Sequence, residues 1–164
     1  MQLFFTQEKG EQFTLPKKES KHITKVLRKK EGDILHFTDG KGMLITAHIL
    51  HINHKETIVN ITNKILKEKT HNGYIHIAIS PTKNINRFEF FLEKATEIGV
   101  DEITPIICER SERKFVKKER CHRILISAMK QSLKYHLPKM NENILLTEFL
   151  KKDIAGNKYI AHLS

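Results

Sequence analysis

Lysine and arginine side chains, which bind phosphate groups, are concentrated in two blocks of this sequence. Residues 17–31 contain seven Lys or Arg and two Glu, and residues 109–134 contain nine Lys or Arg and three Glu. The formal net charge is +10, so the remaining residues sum to nearly zero. A surface charged only for solubility would carry its cations more evenly. The concentration favours a polyanionic partner, of which RNA and DNA are the usual examples.

The first basic block predicts a short helix from Lys17 to Lys29 that ends before Glu31-Gly32. Ile23, Val26 and Leu27 fall on one side of it at the spacing of an apolar docking face. The opposite side carries the basic residues Lys18, Lys21, Lys25, Arg28 and Lys29. The helix is therefore expected to dock by its apolar side and to offer its cationic side to phosphate.

Two further groups of polar residues stand where phosphate contacts are common. Lys83, Asn84, Asn86 and Arg87 follow a predicted strand end at Ser80-Pro81, and α/β folds carry ligands beyond the carboxyl ends of strands. Phosphate binding and solvation of a helix start are equally good interpretations of this group. The second basic block includes the loop "ERSERKFVKKER" and a helical stripe formed by Arg123, Ser127, Lys130 and Lys134. Phosphate contact is preferred there to a solvated helix face, because cations neutralise backbone charge whatever the base.

The sequence does not support metal, nucleophilic or nucleotide-loop chemistry. His48, His51 and His54 are spaced by three on a predicted strand, so successive side chains point to opposite faces and no metal site is expected. Cys121 opens a helix beside two arginines, which would lower its thiol pKa, but no base or orienting residue accompanies it. The glycines form neither a Walker loop nor a G-x-G-x-x-G motif. No catalytic residue is assigned.

The order of predicted elements divides the chain near residue 70. Short strands surround the basic helix, with a hairpin turn at Asp39-Gly40-Lys41-Gly42, and predict a small β-barrel over residues 1–69. Lys67 to Gly73 is the predicted linker. Residues 70–164 alternate strand and helix, which predicts a parallel α/β sheet with right-handed crossovers. The overall class is α+β, and the second sheet is expected to be incomplete.

Within the α/β part, helices are expected at Ile85–Ile98 and Lys118–His136, and a last strand at Lys158–Ser164. Phe90 faces away from the apolar stripe of the first of these helices, which suggests cover by a second subunit. No apolar run approaches a membrane span, and the first residues lack the features of a signal peptide. The two cysteines show no paired spacing. These features predict a cytoplasmic protein.

Four sequence blocks, in their order and spacing, resemble the RsmE family of 16S ribosomal RNA (uracil-N3) methyltransferases. They are "HITKVLRKKEGD", "DGKG", "KNINRFEFFLEKATEIGVDEITPIICERSERK" and "AMKQSLKYHLPKM", and the resemblance covers essentially the whole chain. It implies an N-terminal PUA-like β-barrel followed by a SPOUT domain, an α/β fold with a trefoil knot. It also implies that this second domain binds S-adenosylmethionine and forms homodimers.

The resemblance further implies which residues hold the ribosomal RNA of the small subunit. His22, Arg28 and the basic helix are expected to contact it. Five residues of the second domain are expected on a face shared by both domains: Lys83, Arg87, Glu97, Arg110 and Ser111. Together with the basic stripes above, the predicted RNA-binding residues are His22, Lys25, Arg28, Lys29, Lys83, Arg87, Arg110, Arg113, Lys114, Arg123 and Lys134.

Two motifs of the family do not occur in these residues. They are a Gly-Pro-Glu-Gly-Gly loop and a Leu-Arg-x-Glu-Thr-Ala segment, which in the family form most of the knot and cofactor pocket. His162 and Leu163 are expected at the edge of that pocket. Lys130 and Lys134 stand where many relatives have Glu and Arg, which argues against a shared role for Lys130. The chain is therefore expected to be a fragment that lacks most of the pocket and is inactive by itself.

Three functions remain open at this level. The preferred one is part of an S-adenosylmethionine-dependent RNA methyltransferase. The second is a stand-alone RNA-binding module without catalysis, which the missing Gly-Pro-Glu-Gly-Gly loop would favour. The third is a basic structural domain, and only this one predicts no steep dependence of RNA affinity on salt.

Overall fold

The computed structural model describes residues 1–69 and 71–161, which form two sheets. The first sheet and its helix comprise β1 (Leu3–Phe5), β2 (Gln12–Leu15), α1 (Lys17–Lys25), β3 (Ile34–Thr38), β4 (Met43–Ile52) and β5 (Thr57–Leu66). The second part comprises β6 (His76–Ile79), α2 (Ile85–Ile98), β7 (Glu102–Ile107), α3 (Lys118–Gln131), β8 (Lys139–Met140), β9 (Ile144–Leu145) and α4 (Leu146–Phe149).

The first sheet has the strand order β1-β3-β4-β5-β2 and curls into a half-barrel. β1 and β3 run parallel, and the other neighbours are antiparallel. Alternate residues of the strands point inward, so Phe37, Ile49 and Val59 meet in one buried cluster. Ile23 of α1, which is 0% exposed, closes this cluster. The predicted PUA-like fold is confirmed, although the sheet is an open half-barrel.

Helix α1 is shorter than the sequence predicts. Its last residue is Lys25, and Arg28 beyond it adopts a left-handed φ of 54°, which turns the chain away from the helix axis. Val26 is therefore not a docking residue, and its side chain is 64% exposed. Only Ile23 and the partly buried Leu27 form the apolar contact.

The second sheet is parallel, with the order β6-β7-β8 and with β9 beside the end of β7. Phe88 and Leu92 of α2 and Leu125 of α3 pack with Ile103 of β7, which confirms the predicted α/β arrangement. The bounds of α2 are those predicted, with Asn84 capping its first turn. Within the described ranges, no helix is long and apolar enough to cross a membrane.

Two predictions for the second part are wrong. Helix α3 ends at Gln131 rather than His136, and Leu133 beyond it has a left-handed φ of 53°. Residues 158–161 form no strand, and Tyr159 and Ile160 are each 90% exposed. Residues 162–164, where His162 and Leu163 were expected at a pocket edge, lie outside the described residues.

The two sheets are joined by a backbone seam between the β3–β4 hairpin and residues 135–137. Gly42 N–H donates to the Tyr135 carbonyl, and Leu137 N–H donates to the Gly40 carbonyl, both at 2.8 Å. Both glycines have positive φ, 73° for Gly40 and 100° for Gly42. A Cβ on Gly42 would lie 2.7 Å from Nε2 of His136. The turn therefore needs glycine for its conformation and for the close approach of the second part.

We predict that Gly42→Ala destabilises the chain by about 1–3 kcal/mol more than Gly32→Ala, because only the first change overpacks the seam. Gly32 is a matched control, since its φ is also positive (85°) and an added Cβ would meet nothing within 4 Å. Urea unfolding of both variants measures the difference. Equal losses of unfolding free energy would show that the hairpin does not pack against residues 135–137.

Candidate nucleic-acid interface

Two loops, residues 80–84 and 108–114, lie together at the carboxyl ends of β6 and β7 and are called the loop pair. Ser80 Oγ and Ser111 Oγ are hydrogen-bonded at 2.8 Å. The Arg113 guanidinium donates to the carbonyls of Thr82 (3.1 Å) and Lys83 (2.7 Å). Arg113, one of the predicted RNA-binding residues, thus holds one loop against the other.

The loop pair and the first turn of α2 form an exposed cationic surface. They contain five Lys or Arg and two Glu. Lys83 is ion-paired with Glu112 at 3.2 Å, and Lys114 Nζ donates to the Glu109 carbonyl at 2.9 Å. The side chains of Arg87 and Arg110 have no hydrogen-bond or ion-pair partner among the described residues, and both are exposed. Such uncommitted guanidinium groups suit bidentate contact with phosphate.

A second cationic surface lies on α1 and the turn that follows it, and its basic residues are Lys21, His22, Lys25 and Arg28. Lys29 also lies in the turn, where its N–H donates to the Ile23 carbonyl at 3.1 Å. Arg28 and Lys29 thus belong to the turn and not to the helix. The α1 surface carries the cations that the sequence predicts, but two of them lie on a turn where the sequence predicted a helix.

The predicted cationic stripe on α3 is divided. Arg123 lies in a shallow groove beside the ion pair between Arg120 and Glu89. Lys130 instead turns to the half-barrel, where its Nζ lies 6.0 Å from the Phe4 ring centroid. Lys134 lies beyond the end of α3 and lines a cavity between the two parts. The stripe therefore offers one arginine at the surface rather than a row of cations.

Lys130 also affects a carboxylate of α1. Burial raises the pKa of Glu19, and the nearby charges of Lys130, His22 and Lys18 only partly oppose this rise. The position of Lys130 over the Phe4 ring of the half-barrel agrees with the sequence argument against a shared role in RNA binding.

The half-barrel and the loop pair lie at opposite edges of the second sheet. The seam residues precede β8, whose first residue pairs with Glu102 at the amino end of β7, whereas the loop pair follows the carboxyl ends. Glu97 lies near the end of α2, roughly 15 Å along the helix from Arg87, and bonds to Lys94 at 2.8 Å. Within residues 1–69 and 71–161, Glu97 therefore lies apart from Arg87 and the loop pair, and a face shared by the two domains stays a prediction.

Neither the three histidines considered for a metal site nor Cys121 shows a sign of activation in the described part of the chain. His48, His51 and His54 each bond a different partner, namely the Gly32 carbonyl, Glu31 and Thr24. Burial and, secondarily, Glu89 raise the pKa of Cys121, so the arginines beside it do not activate the thiol. No group of three or more His, Cys, Asp or Glu within residues 1–69 and 71–161 is arranged to hold a metal ion.

A polar network that sequence reasoning missed lies at the amino edge of the second sheet. Glu102 accepts hydrogen bonds from Tyr74 (2.6 Å), Lys139 (3.0 Å) and Asn141 (2.6 Å). Burial by itself would raise the pKa of Glu102, but these hydrogen bonds outweigh it and lower the pKa to about 2. The same contact raises the pKa of Tyr74 to about 12. No local pattern could have shown this network, because its members are 28–39 residues apart.

Both parts of the chain match families of known domains. Residues 67–164 match the RNA methyltransferase domain, and residues 15–62 match the RNA methyltransferase PUA domain. Ribosomal RNA small subunit methyltransferase E of Buchnera aphidicola subsp. Acyrthosiphon pisum is 33% identical over 138 residues, which are 79% of this chain and 53% of that protein. The protein of the same name from Aquifex aeolicus is 28% identical, over 91% of this chain and 72% of its own length.

Solved structures share the fold. A probable rRNA-methyltransferase from Porphyromonas gingivalis superposes with a TM-score of 0.86 at 40% identity, over 94% of this chain and 65% of that one. Ribosomal RNA small subunit methyltransferase E from Neisseria gonorrhoeae, bound to S-adenosyl methionine, gives 0.83 at 28% identity, over 94% and 66%. This chain thus spans about half the length of the Buchnera protein and about two thirds of both crystallised chains.

The Glu102 network predicts a pH-dependent contribution to stability. Because the pKa of Glu102 falls from 4.5 to about 2 on folding, its contribution is complete above pH 4.5 and is lost as the pH falls toward 2. We expect Glu102→Gln to lower the unfolding free energy at pH 7 by on the order of 2 kcal/mol. Denaturant unfolding should show that the difference in unfolding free energy between the parent chain and Glu102→Gln becomes smaller by pH 3. The exposed Glu148→Gln serves as the control. A gap that stays constant from pH 7 to pH 3 would contradict the assignment.

Proposed function

The chain belongs to the RsmE family of RNA methyltransferases, and from this membership we propose that it acts in S-adenosylmethionine-dependent methylation of N3 of a uridine in 16S ribosomal RNA. The names of the Buchnera and Aquifex relatives support ribosomal RNA of the small subunit as the substrate, and the Neisseria structure with S-adenosyl methionine supports the cofactor. The small ribosomal subunit or its RNA is the proposed partner, and the cytoplasm is the proposed location.

The observation that carries this proposal is the pair of exposed cationic surfaces, one on each part of the chain. The α1 surface offers ammonium groups, and the loop pair with Arg87 and Arg110 offers guanidinium groups without partners among the described residues. Contacts to phosphate position a nucleic acid without reading its sequence. The two surfaces therefore support recognition of an RNA backbone at two separate places.

The chemistry of N3 methylation gives the loop pair a further role. The N3–H of uracil is weakly acidic, and methyl transfer to N3 requires the loss of that proton. Positive charge near N3 and O4 assists this loss, because it stabilises the anion that forms. Arg87 and Arg110 stand at the carboxyl edge of the sheet, where parallel α/β folds bind substrates. Their fixed positive charge would stabilise the anion of a uracil held there.

The described residues at that edge do not fit the cofactor. S-adenosylmethionine carries a net positive charge, because its sulfonium and ammonium outweigh its carboxylate, whereas the loop pair carries more cations than carboxylates. The Ser80 and Ser111 hydroxyls are bonded to each other, and Arg113 is bonded to loop carbonyls. The two pocket motifs of the family are also absent from residues 1–164. We infer that these residues bind RNA without binding the cofactor, and a non-catalytic RNA-binding module is therefore the second candidate function.

A homodimer is part of the proposal. Phe90 is 60% exposed on α2, and its ring is contacted by Lys94 Nζ at 5.6 Å from the centroid. Ile98 lies eight residues further along the same side of α2 and is 68% exposed. Two large apolar side chains on one exposed helix face support a contact with a second subunit.

We predict that Lys25→Ala with Arg28→Ala weakens RNA binding and flattens its salt dependence. Each lost phosphate contact to a single strand should reduce the slope of log K against log salt by about 0.7. Fluorescence anisotropy with a single-stranded RNA at low and at physiological salt measures the slope. Lys151→Ala with Lys152→Ala is the control of equal charge, since both residues are exposed after α4. Equal slopes for the two double variants would remove α1 from the RNA-binding surface.

Titration calorimetry with S-adenosylmethionine tests the cofactor inference. We expect no heat of binding to residues 1–164, whereas RNA binds the same preparation. Micromolar binding of S-adenosylmethionine would contradict the inference and would show that these residues assemble a cofactor pocket by themselves.

A further inference from the structure

A cavity of about 360 Å³ lies between the two parts of the chain, at the amino edge of the second sheet. Its walls come from the linker around Lys67–Lys69, the α2–β7 turn around Gly99, residues 132–139 and the hairpin residue Gly40. The loop pair lies at the opposite, carboxyl edge of the same sheet. The cavity is therefore separate from the surface proposed to hold the reacting uridine, and its volume is in the range of small-molecule sites.

Tyr74 forms an aromatic platform in the lining of this cavity. Its hydroxyl donates to Glu102 (2.6 Å), and Lys69 Nζ lies 5.5 Å from its ring centroid. Lys69 is in turn ion-paired with Asp101. Tyr74 is nevertheless 61% exposed. A ring that is fixed in direction and open to solvent is prepared for stacking, because little conformational freedom remains to be lost on binding.

His71 supplies an uncommitted hydrogen-bonding atom in the cavity wall. Its Nε2 lies 2.8 Å from the Gly99 carbonyl, so Nε2 carries the proton and Nδ1 of the neutral ring is an acceptor. Nδ1 is buried and has no hydrogen-bond partner among the described residues. A buried acceptor of this kind is satisfied by an N–H or O–H group of a ligand, such as a ribose hydroxyl or a base amino group.

Lys67 supplies charge. Its ammonium makes no hydrogen bond or ion pair within residues 1–69 and 71–161, and the residue lines the cavity. Two other lysines of the lining, Lys69 and Lys139, are already paired with carboxylates. An unpaired lysine that lines the same cavity as an aromatic platform matches a ligand that carries both a phosphate and a ring.

We propose that this cavity binds a ribonucleoside monophosphate, with its base stacked on Tyr74, a hydroxyl or amino group on His71 Nδ1 and its phosphate on Lys67. The ligand is either a free nucleotide or one nucleotide of an RNA chain. Only the RNA source rests on the proposed function. As part of RNA, such a nucleotide would fix the strand at the amino edge while the reacting uridine lies at the carboxyl edge.

Ligand-detected NMR titration with AMP tests the site in the full chain. We expect saturable binding that Tyr74→Ala weakens by about tenfold, as loss of one base–aromatic stack does. Tyr74→Phe keeps the ring and should retain most of the affinity. Tyr159→Ala, which removes another exposed tyrosine outside the cavity lining, should change nothing. Lys67→Gln should weaken AMP more than adenosine, with Lys152→Gln as control, and thermal melting confirms that each variant is folded.

Inorganic phosphate and a single-stranded pentauridylate complete the test. Displacement of AMP by the pentauridylate identifies RNA as a source, and AMP binding without displacement identifies a free nucleotide; either result supports the site. The site is overturned if AMP does not bind, if phosphate alone binds as tightly as AMP, or if Tyr74→Ala leaves AMP affinity unchanged. Because AMP is tested without RNA or cofactor, the site can stand or fall independently of the proposed function.

Discussion

The arrangement of the molecule depends on the backbone seam between Gly40–Gly42 and residues 135–137. Two inter-part hydrogen bonds of 2.8 Å are possible only because the hairpin has no side chain where His136 and Leu137 approach. The hairpin itself is held by Asp39 Oδ1, which accepts from the N–H of Lys41 at 2.7 Å. Such bonds contribute roughly 1 kcal/mol each, so their main effect is to fix orientation. Lys130 over the Phe4 ring adds a side-chain contact between the same two parts of the chain.

The seam determines where the functional surfaces lie. It attaches the half-barrel at the amino edge of the second sheet and leaves the loop pair free at the carboxyl edge. In the proposed function, the α1 surface and the loop pair are two separate contacts for one polyanion. The Glu102 network and the cavity lie at the amino edge of the second sheet, away from the loop pair. An RNA strand bound to both surfaces would have to pass along the second sheet or reach a second copy of the chain.

Local patterns in the sequence predicted much of the fold. The bounds of α2 follow from its apolar stripe, with Asn84 at its start and Gly99 at its end. The ends of α1 and α3 were missed, because Arg28 and Leu133 take the left-handed conformation that sequence reasoning reserves for glycine. The cationic character of both surfaces was predicted from the concentration of Lys and Arg in two blocks.

The sequence could not show the features that depend on contacts between residues far apart in the chain. The "DGKG" stretch predicts a hairpin turn. That this turn also docks on residues 135–137 could not be predicted, because no sequence pattern connects the two segments. The contact of Lys130 with Phe4 and the hydrogen bonds of Glu102 with Tyr74 and Asn141 also join residues far apart in the sequence, so no local pattern predicts them. Helical spacing placed Lys130 and Lys134 on one stripe, and the early end of α3 separated them.

Amide chemical-shift mapping with a single-stranded RNA would test most directly the claim that two cationic surfaces on opposite sides of the seam bind one polyanion. The titration would be followed in ¹H–¹⁵N spectra of the chain at low and at physiological salt. We expect shifts at residues 21–29 and in the loop pair at equal RNA concentrations, with both sets reduced by salt. Shifts confined to one of these surfaces, or shifts that salt leaves unchanged, would contradict it.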